Sequence, residues 1–441
     1  MSKPQRQIWK RWMTMGCAIL LGWLGIAIPA VGGRFRASVV KVDITPEQTV
    51  LLAGYAPRQS TGVHDRLFHR IVAMDDGSTQ FFLISTDVAA FSVSVYDDVM
   101  KELQSQTGIK PLQVWWTATH THSAPEVGPP GLSAVFLPER YHHAPNAEYS
   151  LLFERNLIEG IKHARAALEP ARMGIGWGIS FANMNRRARN EEGPAFLGMN
   201  PDGPMDHRIG LLRLEKANGT LMALIANYAM HGTVLGPKNT LVSGDAPGIV
   251  ADYVEEKLGV SMLYINGAAG NLAPIYSVCP DFESGHLEQF DRLLGDKIID
   301  ANRSVGSTTS DVRLSLGQQL VETPRKPGMG WAPDLGEYTR TTNTGETVVR
   351  LPIRFLQIND DIAVWAAPIE LFNEISTEIR NRSPYPYTLY FGYCNGWLGY
   401  MPTKSAFAEG GYEPNVSPFT GQATDDLIQT VVNLLHDRKN K

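Results

Sequence analysis

A strand, a helix and a second strand follow one another between residues 81 and 118, and this succession constrains the fold most. Residues 81–87 are almost wholly apolar, and residues 94–107 show an apolar face that ends before Gly108, as helices commonly do. Residues 113–118 are β-branched and aromatic, which predicts a strand buried on both faces. Because such a unit places its strands parallel in one sheet, we predict an α/β fold with a mixed, largely parallel sheet flanked by helices.

Two histidines follow the second of these strands. His120 and His122 are separated by one residue, so an extended chain would direct both rings to the same side. Open α/β sheets bind ligands at the carboxyl ends of their strands, and two imidazoles there suit a metal ligand beside a proton carrier. The alternative is a pair of unrelated loop histidines, since this short pattern is common.

Composition excludes one class of partner. The chain has 441 residues, 43% of them hydrophobic and 19% charged, with a formal net charge of -5. These values are typical of a folded globular protein, and the sequence has no basic cluster interleaved with aromatics, so we expect no nucleic-acid partner. The length allows one large domain or several smaller ones. Because no break in composition marks a boundary, we expect residues 34–441 to form a single domain.

The amino-terminal segment predicts export. An uncharged apolar run over residues 12–33 is preceded by Lys3, Arg6, Lys10 and Arg11. This pattern is typical of a signal peptide, and the run is also about long enough to act as a membrane anchor if it is not cleaved. We therefore expect residues 1–33 to direct the protein to an extracytoplasmic location, periplasmic or secreted, with possible association with a membrane surface.

Two cysteines follow that segment, Cys279 and Cys394. In an oxidising compartment they could form a disulfide. The simpler expectation is a pair of buried thiols.

Further polar residues follow other predicted strands. His231 comes after a strand over residues 221–228, Glu370 after a hairpin over residues 348–366, and Tyr400 after a strand over residues 387–392. Two neutral imidazoles and a carboxylate form a ligand set of catalytic zinc hydrolases. Each residue also has a local explanation, since a glutamate in a first helical turn is favourable with the helix dipole. Spacing alone does not establish that these side chains converge.

Other candidates have simpler alternatives. Asp87 and His64 could line a site, but a capping aspartate and a surface histidine are the safer interpretations. Residues 181–205 are predicted to form a structured loop, whose Arg186 and Arg187 are either a surface patch or an anion clamp. The small-residue turn over residues 267–274 could bring backbone N–H groups to a ligand, although a tight turn without a ligand explains it equally simply.

Together these pieces resemble one family. The chain is similar to the catalytic N-terminal domain of the neutral, non-lysosomal ceramidases, from about Ala37 to Tyr412. The matching pieces, in the family's order, are Thr119-His120-Thr-His122-Ser123, Asn185-Arg186, His231-Gly232-Thr233, Ser243-Gly244-Asp245, Gly270-Asn-Leu-Ala-Pro274, Pro368-Ile-Glu370 and Asn395 followed by Tyr400.

The resemblance implies a zinc-dependent amidohydrolase active in sphingolipid metabolism. It implies that Zn²⁺ is bound by His120, His231 and Glu370, with Tyr400 as a further ligand. It further implies that His122 transfers protons, and that Arg186 and Tyr400 stabilise the oxyanion. Zinc lowers the pKa of its water to about 7, so the expected reaction is attack of that water on an N-acyl amide, with a ceramide-like lipid as one candidate substrate.

The sequence departs from the family pattern at one turn. Ala273 stands where ceramidases have a serine, Asn271 replaces an aspartate, and Ile275 replaces an asparagine. A zinc-water mechanism survives the loss of that hydroxyl, whereas a serine acyl-enzyme does not. The resemblance also leads us to expect a single helix after Glu413, in place of the immunoglobulin-like domain with which ceramidases continue. The alternatives are therefore a catalytically silent relative that binds lipid or cell-surface material, and a zinc hydrolase of an ester or peptide bond.

Overall fold

The computed structural model describes residues 35–190, 193–278 and 286–440. The predicted signal peptide over residues 1–33 and Cys279 lie outside these residues, so export and the pairing with Cys394 stay predictions. From Gly33 onward the chain forms one compact unit. No helix in the described part of the chain combines the length and the apolar composition needed to cross a bilayer.

The described residues form both strands and α-helices. The strands are β1 Arg36–Asp43, β2 Leu51–Leu52, β3 Arg58–Gln59, β4 Gly62–Val63, β5 Phe68–Asp75, β6 Gln80–Thr86, β7 Val114–Ala118, β8 Glu169–Ile179, β9 Asn183–Ala188, β10 Phe196–Asn200, β11 Arg208–Lys216, β12 Leu221–Tyr228, β13 Leu241–Val242, β14 Ser261–Asn266, β15 Leu272–Pro274, β16 Leu314–Pro324, β17 Thr339–Thr341, β18 Thr347–Ile358, β19 Ile362–Ala366, β20 Glu370–Leu371, β21 Tyr387–Phe391 and β22 Tyr400–Met401. The α-helices are α1 Val93–Thr107, α2 Leu132–Phe136, α3 Ala147–Ala166, α4 Asp245–Leu258, α5 Ile275–Val278, α6 Asp296–Ser304, α7 Asn373–Asn381, α8 Lys404–Glu409, α9 Tyr412–Asn415 and α10 Gln422–Lys439.

The largest sheet has eight strands in the order β14-β12-β11-β8-β1-β5-β6-β7. The predicted mixed α/β class is confirmed, and β6, α1 and β7 form the expected parallel unit. The expectation that the sheet is largely parallel is wrong, because five neighbouring pairs are antiparallel and two are parallel. A buried apolar run indicates that a strand is covered on both faces, but it contains no information about the direction of its neighbours.

Side-chain alternation produces a layered core. On β5, Val72 and Met74 pack between the large sheet and the second sheet, beside residues such as Val364 of β19. Ile71 and Ala73 face the opposite way, into the core beneath α1 and α3. The second sheet has five strands, β16-β18-β19-β21 with β17 paired to β18, and α10 packs against β16. Two stacked sheets with helices outside them therefore enclose the apolar residues.

Capping residues set the helix boundaries in the first half of the chain, and α1 ends before Gly108 as predicted. The Ser92 side chain caps α1, which ends at Gly108 in the left-handed region at φ 75°. The Asn146 side chain accepts from the Tyr149 N–H and caps α3. A π-helical segment at Asp291–Gly295 leads directly into α6.

The structured loop predicted over residues 181–205 is wrong in part. Residues 183–188 form β9, which pairs with both β10 and β15. Its polar composition concealed the strand, because Arg186 and Arg187 are buried and bonded to a carboxylate from a distant part of the chain. The surface-patch interpretation of these arginines is therefore also wrong.

Candidate metal centre

The loops after β7 and β12 are joined edge to edge, and this contact brings three histidines together. The His122 N–H donates to the Gly232 carbonyl at 2.8 Å, and the Gly232 N–H donates to the His120 carbonyl at 3.2 Å. A side chain at Gly232 would have its Cβ only 2.7 Å from the Thr121 Cα, so glycine is required for this approach. His120, His122 and His231 consequently form a buried group whose ring nitrogens lie within 4.8 Å of one another.

The two rings assigned as ligands turn the same nitrogen inward. The His120 Nδ1 lies 2.6 Å from the Ala89 carbonyl oxygen, and the His231 Nδ1 lies 2.9 Å from the Leu272 carbonyl oxygen. A carbonyl oxygen only accepts, so each Nδ1 donates its proton and each Nε2 presents a lone pair. Those Nε2 atoms lie 3.3 Å and 3.1 Å from the Glu370 Oε2.

This arrangement fits a divalent metal ion. Two lone pairs and a carboxylate oxygen repel one another unless a cation lies between them. Ligands of a tetrahedral zinc ion at about 2.0–2.1 Å are separated from each other by roughly 3.3–3.4 Å. The observed separations of 3.1 and 3.3 Å are close to that spacing. Burial lowers the pKa of His231 to about 3, with the nearby Arg186 charge adding to the effect, so this ring is neutral and suited to bind metal.

Glu370 is held by two aromatic side chains. The Trp397 Nε1 donates to Oε1 at 2.9 Å, and the Tyr393 hydroxyl donates to Oε2 at 3.2 Å. The Tyr393 ring also stacks on His120 at a centroid distance of 4.2 Å. Burial alone would raise the pKa of Glu370, whereas positive charge on His120 and His231 lowers it well below its usual value. A cation bound between these neutral rings and the carboxylate would keep Glu370 ionised in the same way.

Tyr400 reaches the centre through strand pairing. The short strands β20 and β22 are parallel, and Glu370 is paired directly with Tyr400. The Tyr400 hydroxyl lies 3.5 Å from the His231 Nε2 and accepts from the Arg186 Nη2 at 3.1 Å. Glu370 lies in β20 rather than in a helical turn, so the helix-dipole explanation does not apply to it.

His122 lies beside the centre without a carbonyl partner of its own. Its Nε2 is 3.2 Å from the His120 Nε2, and its buried Nδ1 has no hydrogen-bond partner among the described residues. Burial and the two other histidines lower its pKa well below the usual value. The ring packs edge-on against Tyr55 and directly on Gly54, where a Cβ would lie 2.4 Å from the His122 Cγ.

Two motifs of the predicted set support the site without entering it. The Asp245 carboxylate accepts from the N–H groups of Val234 and Leu235 at 2.9 and 3.0 Å, which fixes the loop that begins with His231. The Asn395 Oδ1 accepts from the Trp116 N–H at 2.8 Å, and the Asn395 N–H donates to the Trp116 carbonyl at 2.7 Å. Asn395 therefore docks the segment containing Trp397 on the edge of β7.

Other candidates lie elsewhere. Asp87 is fully buried and bound to Arg70 at 2.8 Å, while His64 is exposed and contacts Asp65. The capping interpretation of Asp87 is wrong, because its carboxylate is buried against Arg70 and α1 is capped by Ser92. His64 is a surface histidine, as its simpler interpretation predicted. Asn271 bonds to Glu374 and Asn373, so the 267–274 turn anchors α7. Ala273 is buried in β15 and is not among the residues that line the cavity described next.

A cavity of about 890 Å³, measured with its open mouth, leads to the centre. His120, His122, Glu370 and Tyr400 lie on its wall. Its other walls are largely apolar and include Phe91, Val127, Leu137, Trp397 and Val416. Such a mixture suits a ligand with an apolar body and one polar group.

Trp397 and Tyr393 were not predicted from the sequence as supports for Glu370. Backbone strain marks this part of the site, but it is visible only in the structure. His120, Tyr393 and Asn395 have positive φ values of 67°, 51° and 66°, and such strained residues concentrate at functional sites.

The fold and the centre together define an α/β protein with a buried site of two imidazoles and one carboxylate at the end of a largely apolar cavity. The model of the family "Neutral/alkaline non-lysosomal ceramidase, N-terminal" matches residues 35–270, which is more than half of the chain. The chain belongs to this family, as the resemblance in its motifs predicted.

Curated relatives agree with this assignment. The chain is 27% identical over 280 residues to a neutral ceramidase of Pseudomonas aeruginosa, covering 58% of this chain and 40% of that protein. It is 27% identical over 233 residues to a neutral ceramidase of Mycobacterium tuberculosis, covering 49% and 35%. It is 31% identical over 233 residues to neutral ceramidase B of Dictyostelium discoideum, covering 49% and 30%. The matches therefore span two fifths or less of these relatives' own length.

A solved structure shares the fold. The crystal structure of the neutral ceramidase from Pseudomonas aeruginosa superimposes with a TM-score of 0.73 at 18% sequence identity, covering 92% of this chain and 74% of that one. A second solved structure, of a ceramidase complexed with C2, superimposes with a TM-score of 0.72 at 18% sequence identity, covering 90% of this chain and 74% of that one. The α/β architecture is thus that of the ceramidases.

Proposed function

We propose that this protein is a zinc-dependent hydrolase of carbon–nitrogen bonds that cleaves an N-acyl amide. One observation supports this proposal above all others. Two imidazole nitrogens and a carboxylate oxygen face each other at 3.1–3.3 Å at the end of a largely apolar cavity. This donor set is typical of catalytic zinc sites, which keep a coordination position open for water or substrate.

His120, His231 and Glu370 would hold the metal, with the Tyr400 hydroxyl as a further ligand. Bound zinc would supply Lewis acidity and make water available as a nucleophile near neutral pH. The backbone carbonyls of Ala89 and Leu272 fix the two imidazole tautomers, and Trp397 and Tyr393 fix the carboxylate. Such supporting contacts orient the ligands and raise metal affinity.

His122 is the proton carrier in this proposal. Its depressed pKa leaves the ring neutral and able to accept a proton from the attacking water. It then donates that proton to the nitrogen of the leaving amine, and this transfer contributes roughly a hundred- to ten-thousand-fold in rate. Tyr400, on the cavity wall, would donate a hydrogen bond to the oxyanion that forms as the amide carbonyl is attacked. Arg186, whose Nη2 donates to the Tyr400 hydroxyl at 3.1 Å, would stabilise that charge through Tyr400.

The cavity supports an acylated lipid as substrate. Its largely apolar walls suit a hydrocarbon chain, and the relatives of this chain are named neutral ceramidases. A ceramide-like lipid is therefore our first candidate. The basic and apolar amino-terminal residues support export to an extracytoplasmic location, where association with a membrane surface would bring the enzyme to lipid.

The test combines metal content with turnover. We expect dialysed wild-type protein to retain about one zinc per chain and to hydrolyse a fluorescent N-acyl sphingosine. His231→Ala should lose both properties, whereas the control His163→Ala, on the exposed side of α3, should keep both. Wild-type protein as free of zinc as the His120→Ala, His231→Ala double variant would contradict the metal site.

The same assay separates the alternatives. Retained zinc and lipid binding without hydrolysis of any N-acyl amide would favour a catalytically silent relative, which the replacement of a family serine by Ala273 also motivates. A matched ester or peptide hydrolysed at the same site far faster than the amide would change the bond assigned to the enzyme.

A further inference from the structure

Glu413 is a buried carboxylate held between two arginines. It lies in the short helix α9 and is 1% exposed. Its Oε1 accepts from the Arg186 Nε at 3.1 Å, and its Oε2 accepts from the Arg187 Nη1 at 2.6 Å. Both oxygens of one carboxylate are therefore occupied by neighbouring residues of β9.

The contact with Glu413 fixes where the rest of Arg186 points. The guanidinium group is planar, so holding Nε sets the direction of Nη2. Nη2 donates to the Gly270 carbonyl at 2.8 Å and to the Tyr400 hydroxyl at 3.1 Å. The Tyr400 hydroxyl in turn lies 3.5 Å from the His231 Nε2. Glu413 is thus linked to the centre through two side chains.

Glu413 also balances charge near the centre. Arg186 and Arg187 are 7% and 5% exposed, so water screens their charges poorly. Both would repel a divalent cation bound by His231 and Glu370. A carboxylate between the two guanidinium groups reduces that repulsion.

We propose that Glu413 is a positioning residue, which orients Arg186 toward Tyr400 and offsets the arginine charge beside the metal ligands. This inference rests on the proposed function for its effect on turnover, but its effect on metal affinity is independent of the substrate. Removing the charge of Glu413 should therefore weaken both zinc binding and kcat. KM should change little, since Glu413 and Arg186 are not among the residues that line the cavity.

The test compares Glu413→Gln with Glu409→Gln in the full-length protein. Glu409 accepts from Arg187 at 3.3 Å and also contacts Arg189, but it is not a partner of Arg186. Mutation of residues that support metal ligands typically lowers metal affinity or activity by about 10- to 100-fold. We expect Glu413→Gln to weaken zinc affinity about 10-fold in a chelator competition and to lower kcat by about 10- to 100-fold. Glu409→Gln should leave both near the wild-type values.

A double variant shows whether the effect passes through Arg186. In an Arg186→Ala background, Glu413→Gln should lower kcat by no more than about twofold, because residues that act together are not additive. A full additional loss there, or equal losses for Glu413→Gln and Glu409→Gln, would overturn the proposal. Unchanged zinc affinity in Glu413→Gln would overturn the charge-balancing part.

Two measurements keep the test decisive. If thermal melting shows that Glu413→Gln is unfolded, Glu413→Asp takes its place, because it keeps the charge and shortens the reach by one methylene. It should retain zinc affinity and lose kcat, and an unchanged kcat would contradict the positioning role. If zinc-loaded wild-type protein hydrolyses no amide, the proposed function fails, while the zinc-affinity comparison still decides the role of Glu413.

Discussion

Two buried polar clusters follow neighbouring strands of the large sheet, and they differ in how their charges are balanced. After β6, Asp87 belongs to an arginine cluster, in which the Arg70 Nη1, Nη2 and Nε donate to Asp87, Asp252 and Glu255 at 2.8, 2.7 and 2.9 Å. After β7, His120 belongs to an imidazole–carboxylate cluster with His231 and Glu370, where electron-rich atoms face each other.

This difference in charge balance separates a structural cluster from a ligand-binding cluster. The arginine cluster contains its own cation, so it ties β5 and β6 to α4 and needs no ligand. The imidazole–carboxylate cluster presents lone pairs that a bound cation would satisfy, and it opens into the cavity. Variants of the first cluster should therefore change stability, and variants of the second should change metal binding and turnover.

The largest expected effect is on turnover. His122→Ala should retain zinc, because the ring is not in the proposed ligand set, and should lower kcat by about a hundred- to ten-thousand-fold through loss of proton transfer. Zinc content and kcat measured on the same preparation test this. If zinc is lost together with activity, His122 is a ligand rather than a proton carrier.

The next effect concerns stability alone. Arg70→Met leaves the buried Asp87 without its partner, and breaking a buried ion pair typically costs about 3–5 kcal/mol. Burial already raises the pKa of Asp87 to about 6 against the opposing charge of Arg70. Urea unfolding at pH 7.5 should show the loss, with zinc content unchanged.

The matched control for this variant is Arg36→Met. Its ion pair with Asp75 has an arginine that is 47% exposed, so its loss should cost less than about 1 kcal/mol. A loss of zinc in Arg70→Met, or equal destabilisation by both variants, would remove the distinction between the clusters.

A smaller effect is expected at His69, a buried imidazole outside both clusters. Its Nδ1 lies 2.8 Å from the Thr86 Oγ1 and its Nε2 lies 3.0 Å from the Phe153 carbonyl oxygen, so both ring nitrogens are satisfied. Burial lowers its pKa from 6.5 to about 4. Between about pH 6.5 and pH 4, His69 therefore binds a proton in the unfolded chain but not in the folded chain. The free energy of unfolding decreases as the pH falls through this range.

At pH 5 this loss amounts to about 2 kcal/mol, at 1.36 kcal/mol per pKa unit. His69→Gln should reduce the difference in unfolding free energy between pH 7 and pH 5 by about that amount. Denaturant unfolding of zinc-loaded protein at both pH values measures it, with His163→Gln as the exposed control. An unchanged pH dependence in His69→Gln would show that this ring is protonated in the folded state.

Much of the fold follows from local sequence. The apolar runs over β6 and β7 and the helix stop at Gly108 predicted β6, α1 and β7 with boundaries near the observed ones. The direction of most strands did not follow, because β1 and β5 are paired antiparallel through contacts distant in sequence. Periodicity reports which faces are buried, whereas strand direction depends on connections that no short window contains.

The site residues show the same contrast between local signals and long-range contacts. The histidines were identified from the sequence, but the reason given for their proximity was wrong. β7 ends at Ala118, and His120 itself has a left-handed backbone conformation, so a turn and not strand alternation brings the rings of His120 and His122 together. Glu370 and Tyr400 become neighbours through two-residue strands that have no periodicity to detect. Glu413 gave no signal at all, since its importance depends on two arginines more than 220 residues away in sequence.

The central claim is that His120, His231 and Glu370 bind one metal ion. Its most direct test is an anomalous diffraction measurement at the zinc absorption edge on crystals of the purified protein. We expect one strong peak about 2.0–2.2 Å from the Nε2 atoms of His120 and His231 and from the Glu370 carboxylate. A clear map without a peak among these three side chains, in crystals grown with zinc, would contradict it.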